Sequence, residues 1–394
     1  MADYLAFDAD NHYYETRDCF SRHIEAKYAD QAIRPIVVDD GRELFFMGDQ
    51  NLQFPIAWFD GVQIPGAHQI FLTQDNLSPD EIAQSHVEEP PRPEYRDRSA
   101  RLALMDEQHL EKTLLLPTLG VTWEYEARTN LPALYANLRS FNRWVEDDWG
   151  YGADGRIFGV PLISLFDVDE AVKETNRVLD AGAKVLNIRP GPVAGKSVAD
   201  PMFDPFWSIV NERSIPVAFH ICDAGYSDLM SAQWGENPAP NVRKMSPLQL
   251  SMFYCDRPIM DTLAACIMHN LFGRFPNVTL LSLEHGRAWV EYLLHAIDHG
   301  AKLVNQGEWA FGKIDAKPSE IFRRNIKVAP FPEEDVLGLV ELLGAENVLF
   351  GSDYPHPEGC VDPWDFADSI SSLDDASIRR VMRDNIEELV AGAR

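Results

Sequence analysis

The chain has few cysteines, few cations and no long apolar run. Its five cysteines (Cys19, Cys222, Cys255, Cys266 and Cys360) are scattered over 394 residues, with no C-x-x-C. That spacing argues against a disulfide framework and against a structural zinc ribbon. No stretch approaches the ~18 uninterrupted apolar residues of a membrane span, so none is expected. Met1-Ala2-Asp3-Tyr4-Leu5 has neither a basic region nor an apolar core, so it does not read as a secretion signal. The expectation is a protein of the reducing cytoplasm. Only 35 Lys and Arg stand against 62 Asp and Glu, a formal net charge of −27. Phosphate binding draws on clustered Lys and Arg, so this balance argues against nucleic acid or an anionic membrane as partner.

Core-forming residues, in contrast, are plentiful. Hydrophobic residues make up 45% of the chain and aromatic residues 11%, which excludes wholesale disorder. At ~150 residues per domain the length suggests two or three domains, but one α/β barrel can use a chain this long. No internal repeat with sequence identity is present. What recurs is a short apolar run followed by a helical stretch. The runs are Tyr4–Asp10, Lys112–Thr118, Arg156–Leu165, Ala183–Arg189, Ile215–Ile221, Val278–Glu284, Asn325–Pro330 and Val348–Asp353. Each is nearly continuously apolar, as a strand buried on both faces requires. Helices are expected over Asp167–Ala181, Asp261–Phe275 and Glu333–Leu343, from apolar spacing, an Asp cap, Pro332 and Gly344. Eight strands alternating with helices pair in parallel through right-handed crossovers, and eight close a (β/α)8 TIM barrel. The reading is one barrel domain over 1–394.

Residues ~30–100 break the rhythm. They contain an expected hairpin, Arg34–Val38 and Glu43–Met47 turning at Asp39-Asp40-Gly41, and then the Pro-rich stretch Glu88–Pro93. This reads as a long insertion after the first strand, with a small lid domain as the alternative. An extended loop, Asp223–Pro247, follows the fifth strand. Both leave C-terminal strand ends, where barrel active sites are built, and both are expected to shape a small-molecule site. Phe45-Phe46-Met47 and Trp58-Phe59 are expected at the surface, available to a homo-oligomer, a dimer for instance, or to a paralogous subunit.

The same strand ends carry titratable residues. The first ends Asp8-Ala9-Asp10-Asn11-His12, with Asp8, Asp10 and His12 on one face by alternation. The fifth ends at His220, the sixth at Glu284-His285-Gly286 and the eighth at Asp353-Tyr354-Pro355-His356. Each alone has a bland reading as a turn or core residue. Convergence at one end of a barrel changes that. Asp10, His12, His220 and Asp353 become a set of two imidazoles and two carboxylates, suited to Zn²⁺, Fe²⁺ or Mn²⁺. An open position would hold a water made more acidic by the ion, and His285 would act as acid or base beside it. Glu15 and Glu358 are candidates for a second metal, with an acidic loop as the alternative. Arg189, after the fourth strand, is a candidate clamp for a substrate carboxylate or a structural ion-pair partner. His356 is a candidate to hydrogen-bond substrate or a metal ligand. His269 reads as a helix-end residue. His295 and His299 share a helix face with Glu291 on the barrel's outside and read as structural.

At this point the sequence resembles the amidohydrolase superfamily, in the amidohydrolase-related branch of aminocarboxymuconate-semialdehyde decarboxylase. The resemblance rests on Asp8-Ala9-Asp10-Asn11-His12, Met105-Asp106-Glu107-Gln108, Leu271-Phe272-Gly273-Arg274-Phe275-Pro276, Glu284-His285-Gly286 and Gly351-Ser352-Asp353-Tyr354-Pro355-His356. It implies a TIM barrel and a divalent metal on Asp10, His12, His220 and Asp353, with His285 in acid–base work. The first-strand pattern departs from the common His-x-His, since Asp10 takes the first place. An oxygen donor there moves the preference from zinc, the first choice, toward iron or manganese. No Lys ends the fourth strand, which argues against a carbamylated-lysine bridge there. The resulting expectation is a metal-dependent hydrolase or decarboxylase of a small carboxylate or amide substrate. The alternatives are a dinuclear iron or iron–manganese oxygenase on the same scaffold, and a non-catalytic partner of an active paralogue.

Overall fold

The computed structural model describes residues 4–39, 41–304 and 307–394. The first strand, Ala6–Tyr13, is buried along its whole length. It runs three residues beyond the expected Tyr4–Asp10, so Asp10 and His12 lie inside the strand. It pairs in parallel with Leu110–Pro117, which pairs with Ile157–Gly159. A second parallel arc runs through Leu162–Ile163, Leu186–Ile188, Pro216–His220, Thr279–Leu283 and Ile326–Val328. The third expected run is thus split around Val160-Pro161, where proline has no N–H to give a ladder.

Residues 348–354 join the two arcs, through isolated parallel bridges of Val348 to Val328 and Tyr354 to Asn11. Leu349 N donates to Val328 O at 2.9 Å, and Ala9 N to Phe350 O at 2.9 Å. Asp353 N donates to Asp10 O and His12 N to Tyr354 O, both at 2.7 Å. Eight parallel segments therefore follow one another in TIM-barrel order, with the eighth next to the first. Phe7, Leu114, Phe158, Ala218, Leu281 and Leu349 form one buried cluster drawn from six of them.

The helix Val168–Asp180 starts as expected, with the Asp167 carboxylate accepting from Glu170 N. The expected Asp261–Phe275 is instead Arg257–Met268 and Leu271–Arg274, because Asn270 turns left-handed at φ 56°. It continues from a π-helical turn, Gln249–Asp256, which begins just past the loop expected over Asp223–Pro247. Val336–Leu343 begins later than expected, since Asp335 and not Pro332 sets its start by accepting from Gly338 N.

In the insertion, Ile33–Val37 pairs antiparallel with Glu43–Met47, and Gln50–Leu52 adds a third strand. Asp40 of the expected turn lies outside the described residues. Val62–Gln63 pairs with Glu88–Glu89, the latter in sequence read as loop. The expected association surface is corrected here. Phe45, Met47 and Phe59 are buried in the same cluster as Trp123 and Phe141, leaving only Phe46 and Trp58 partly exposed. The insertion and the loop after the fifth strand are stitched together. Asn241 donates to Gln53 O at 3.0 Å, Arg243 lies 3.2 Å from Glu88, and its guanidinium covers the Trp58 ring at 4.3 Å. No helix among the described residues is long and apolar enough to cross a membrane.

Candidate metal centre

The end of the first strand is built around Asp8. Its carboxylate accepts from Ser352 Oγ at 2.5 Å, Ser352 N at 3.0 Å, Asn11 Nδ2 at 2.9 Å and Asp10 N at 3.0 Å. Burial pushes its pKa up to about 6 against those bonds. The ladder register shifts between Asp8 and Asn11, so simple alternation does not govern this stretch. Asp8 ties the first strand to the eighth segment, while Asp10 and His12 face a different set of neighbours.

His12 Nε2 sits at the centre of that set. It lies 3.3 Å from Asp10 Oδ1, 3.2 Å from His220 Nε2, 3.4 Å from Asp353 Oδ1 and 3.8 Å from Glu284 Oε2. His220 Nε2 is 2.9 Å from Glu284 Oε2 and 3.4 Å from Asp10 Oδ1. His220 Nδ1 faces its neighbour's carbonyl, Ile221 O, at 2.9 Å, which fixes the proton there and leaves Nε2 toward the carboxylates. Four of the expected residues, Asp10, His12, His220 and Asp353, therefore meet. Asp10 Oδ1, Glu284 Oε2 and Asp353 Oδ2 are buried without a hydrogen-bond partner. Buried lone pairs of this kind converging with imidazole nitrogens fit a divalent cation.

The charges read the same way. Burial alone would lower the His220 pKa, but Glu284 and Asp10 outweigh it and hold it well above the usual value. Burial likewise opposes the lowering of Asp10, which the two histidines win. Asp353 is driven up by burial and by the charges of Glu284, Glu358 and Asp10.

Glu284 was missed in the sequence because alternation along Leu283-Glu284-His285 puts only one of the last two residues on the inner face. The strand stops at Leu283 and Glu284 turns left-handed, φ 54°, as does Asp353, φ 54°. Non-glycine residues in that region are uncommon and gather at functional sites, and the turn brings Glu284 to His220. Gly286, at φ 65°, completes the exit, and a Cβ there would stand 2.9 Å from Glu334 Oε1. His285 is 1% exposed, and neither ring nitrogen has a hydrogen-bond partner. Burial, helped by the charge on His220, pulls its pKa down to about 3, so it is neutral.

His356 stacks on His12, centroids 4.1 Å apart, with Nδ1 2.6 Å from Asp353 Oδ1 and Nε2 2.9 Å from Thr118 Oγ1. Arg101, unremarked in the sequence, is 1% exposed and braces the first strand through Asn11 Oδ1 and the His12 carbonyl.

Other candidates stand elsewhere. Glu15 is not among the clustered donors, because its carboxylate accepts from Leu119 N at 3.0 Å and Gly120 N at 2.8 Å. Glu358 lies beside the centre, 3.9 Å from His68 Nδ1. Arg189 turns three of its N–H groups to the carbonyls of Pro190, Ala224 and Pro192, at 3.0, 2.7 and 2.8 Å. These contacts make Arg189 a brace between the loops after the fourth and fifth strands. His295 and His299 are exposed on Ala288–Leu303 and stack on each other, and His269 caps Arg257–Met268. A cavity of about 1420 Å³, between Leu5, Ile64, His109 and Trp364, touches the region only at Tyr354.

A parallel α/β barrel with a His and carboxylate cluster at its strand ends defines a metal-dependent barrel enzyme. The amidohydrolase family model matches residues 83–391, and the chain belongs to that family. An amidohydrolase from Mycobacterium avium subsp. paratuberculosis K-10, known as a crystal structure, is similar at 34% identity and a TM-score of 0.89. That match covers 99% of this chain and 100% of the other. The dihydroxybenzoic acid decarboxylase of Polaromonas sp. JS666, crystallised with manganese and 2-nitroresorcinol, shares the fold at 13% identity and a TM-score of 0.58, over 98% and 97% of the chains. A curated relative, the 2-amino-3-carboxymuconate-6-semialdehyde decarboxylase of Dictyostelium discoideum, is 23% identical over 60% of this chain and 61% of its own length. The chain thus spans about three-fifths of that relative.

Proposed function

We propose that this chain is a metal-dependent decarboxylase of a small unsaturated or aromatic carboxylic acid. The observation that carries the proposal is the convergence of Asp10, His12, His220 and Asp353 beside a buried, neutral His285 with both ring nitrogens unengaged. The decarboxylase relatives support the reaction class. The oxygen-rich donor set favours Mn²⁺ over zinc. When bound, the ion supplies a Lewis acid that draws electron density toward a substrate oxygen. The carbon–carboxylate bond then breaks, CO₂ leaves, and the electron pair stays on carbon. A neutral His285 would take up the proton that a substrate hydroxyl or carboxyl group loses and return it, as imidazolium, to that carbon. The insertion and the loop after the fifth strand, stitched through Asn241 and Arg243, form a lid that keeps water from competing for the carbon. The chain acts as one barrel unit, and its unpaired thiols suit a reducing compartment. Hydrolysis is the second reading, because a neutral His285 can equally accept a proton.

The test is a panel of hydroxybenzoic and unsaturated dicarboxylic acids, assayed for CO₂ release by the Mn²⁺-loaded protein. Release that is lost in His285→Ala, with the metal retained, is expected. Cleavage of amides or lactones without any CO₂ release would replace decarboxylation with hydrolysis.

A further inference from the structure

The association surface expected at Phe45 and Met47 is buried, but another face of the barrel stands open. The helix Ala288–Leu303 packs Trp289, Val290, Leu293, Leu294 and Ile297 against the core. Its outer face carries Ala288, Tyr292, His295, His299 and Leu303, at steps of three and four that keep them in one stripe. All five are exposed, Tyr292 by 65% and Leu303 by 69%. The stripe holds no Asp, Glu, Lys or Arg, in a chain whose formal net charge is −27. Large apolar side chains held this far into water, in an uncharged stripe, mark a contact surface.

His295 and His299 are its polar part. Their rings lie 9° from parallel with centroids 5.9 Å apart. Histidines one turn apart on a helix face can chelate an ion through one nitrogen each. Imidazole nitrogen suits zinc, whereas oxygen donors suit manganese. Two imidazoles fill half of a tetrahedral zinc shell. Among the described residues, the groups of three or more converging donors lie at the strand ends, so a lone chain leaves the other two positions here to water. A second copy fills them. Two-fold symmetry brings the same patch of each chain together, and an ion on the axis then meets four histidines.

The charges beside the stripe fit the same pairing. Glu291 and Lys302 are exposed on one flank, each about a turn outside a histidine. In an antiparallel pair centred between His295 and His299, Glu291 of each copy falls beside Lys302 of the other. The contact is too small to hold without the ion. A helix of 16 residues is about 24 Å long and about 10 Å across, so two such faces bury well under the ~1,200 Å² of a stable interface. Two chains of charge −27 also repel one another, which a bridging cation offsets.

We infer that two copies of this chain associate through the outer face of Ala288–Leu303 around one zinc ion, held by His295 and His299 of each copy. The test uses the full chain, loaded with Mn²⁺, and adds Zn²⁺. Light scattering reads the mass and elemental analysis the zinc. The native protein should be monomeric with Mn²⁺ alone and should double its mass with Zn²⁺. The double substitution His295→Ala and His299→Ala should stay monomeric and hold one zinc fewer per two chains, whatever zinc the strand-end centre takes up in both proteins. Tyr292→Glu with Leu303→Glu should also stay monomeric, with the histidines intact. Matching melting temperatures of the two variants and the native monomer check that they fold. A native protein that stays monomeric with Zn²⁺ would overturn the inference, and so would a zinc-induced dimer of the histidine variant. A native dimer that persists after chelation would remove the ion from the contact. A zinc-induced dimer of the glutamate variant would remove the helix face.

Discussion

Arg101 Nη2 donates to the His12 carbonyl at 2.6 Å, so a guanidinium 89 residues away braces the strand that carries two metal-ligand candidates. Its other nitrogens reach Glu94 O at 2.7 Å and Asn11 Oδ1. Burial pushes its pKa down to about 10, still far above neutrality, so it stays charged. Arg101→Met strands three acceptors, two of them beside Asp10. Stability should fall by about 3 kcal/mol, and Mn²⁺ affinity should drop in the surviving folded protein. Urea unfolding with a metal titration checks both. Unchanged affinity would show that the brace does not position the site.

Glu15 gives a pH dependence of known sign. Burial is the main cause that raises its pKa from 4.5 to about 7, partly offset by the Leu119 and Gly120 N–H bonds. The folded chain therefore keeps a proton that the unfolded chain gives up near pH 4.5. This stability is full below about pH 4.5 and is lost as pH rises through about 7, with a total on the order of 3 kcal/mol. Glu15→Gln should remove that loss. Denaturation midpoints of both proteins between pH 4.5 and pH 8 decide it, and a constant difference would mean that Glu15 is ionised throughout.

Gly351 controls Asp10 without touching any ion. A Cβ at Gly351 would lie 2.6 Å from the Asp10 Cβ, closer than carbon atoms pack. Gly351→Ala should displace Asp10 and weaken metal binding roughly 10–100-fold, the range seen when groups supporting a ligand are disturbed. A Mn²⁺ titration measures it, and unchanged affinity would remove Asp10 from the donor set.

Arg189→Met tests the loop-holding reading. Three carbonyls lose their donor. The expected effect is a lower melting temperature, with KM changed by less than about threefold once folded, as for a group that does not bind substrate. A tenfold higher KM at unchanged melting temperature would restore the clamp.

His285→Ala should cost roughly 10²–10⁴ in turnover with metal content intact, the usual reach of a positioned acid or base. Trp289 Nε1 bonds only the His285 carbonyl at this residue, 3.0 Å away, so truncating the side chain spares that contact. Full turnover in the variant would end the assigned role.

The barrel was legible because buried parallel strands must be continuously apolar, and seven of the eight expected runs contain an observed strand. Asp10, His12, His220 and Asp353 were legible because each follows or ends such a run. Glu284 was not, since a left-handed residue breaks the alternation from which inner and outer faces are read. Arg101 was hidden for another reason. Its role depends on which outer helix backs the first strand, and helical periodicity does not specify that contact. The surface assigned to Phe45 and Met47 failed because a three-stranded sheet and its buried partners come from contacts far apart in the chain.

Asp8 accepts from Ser352 across 344 positions, and Asp10 and His12 meet Asp353 over nearly the same span. On a ribosome the first strand emerges early and waits for its last neighbour until almost the entire polypeptide exists. Loops of that length close slowly. A nascent fragment ending before residue 350 would carry Asp10, His12, His220 and Glu284 but lack Asp353 and His356, so its ligand set would stay incomplete. Metal loading therefore belongs to the finished molecule, as a late step of its maturation.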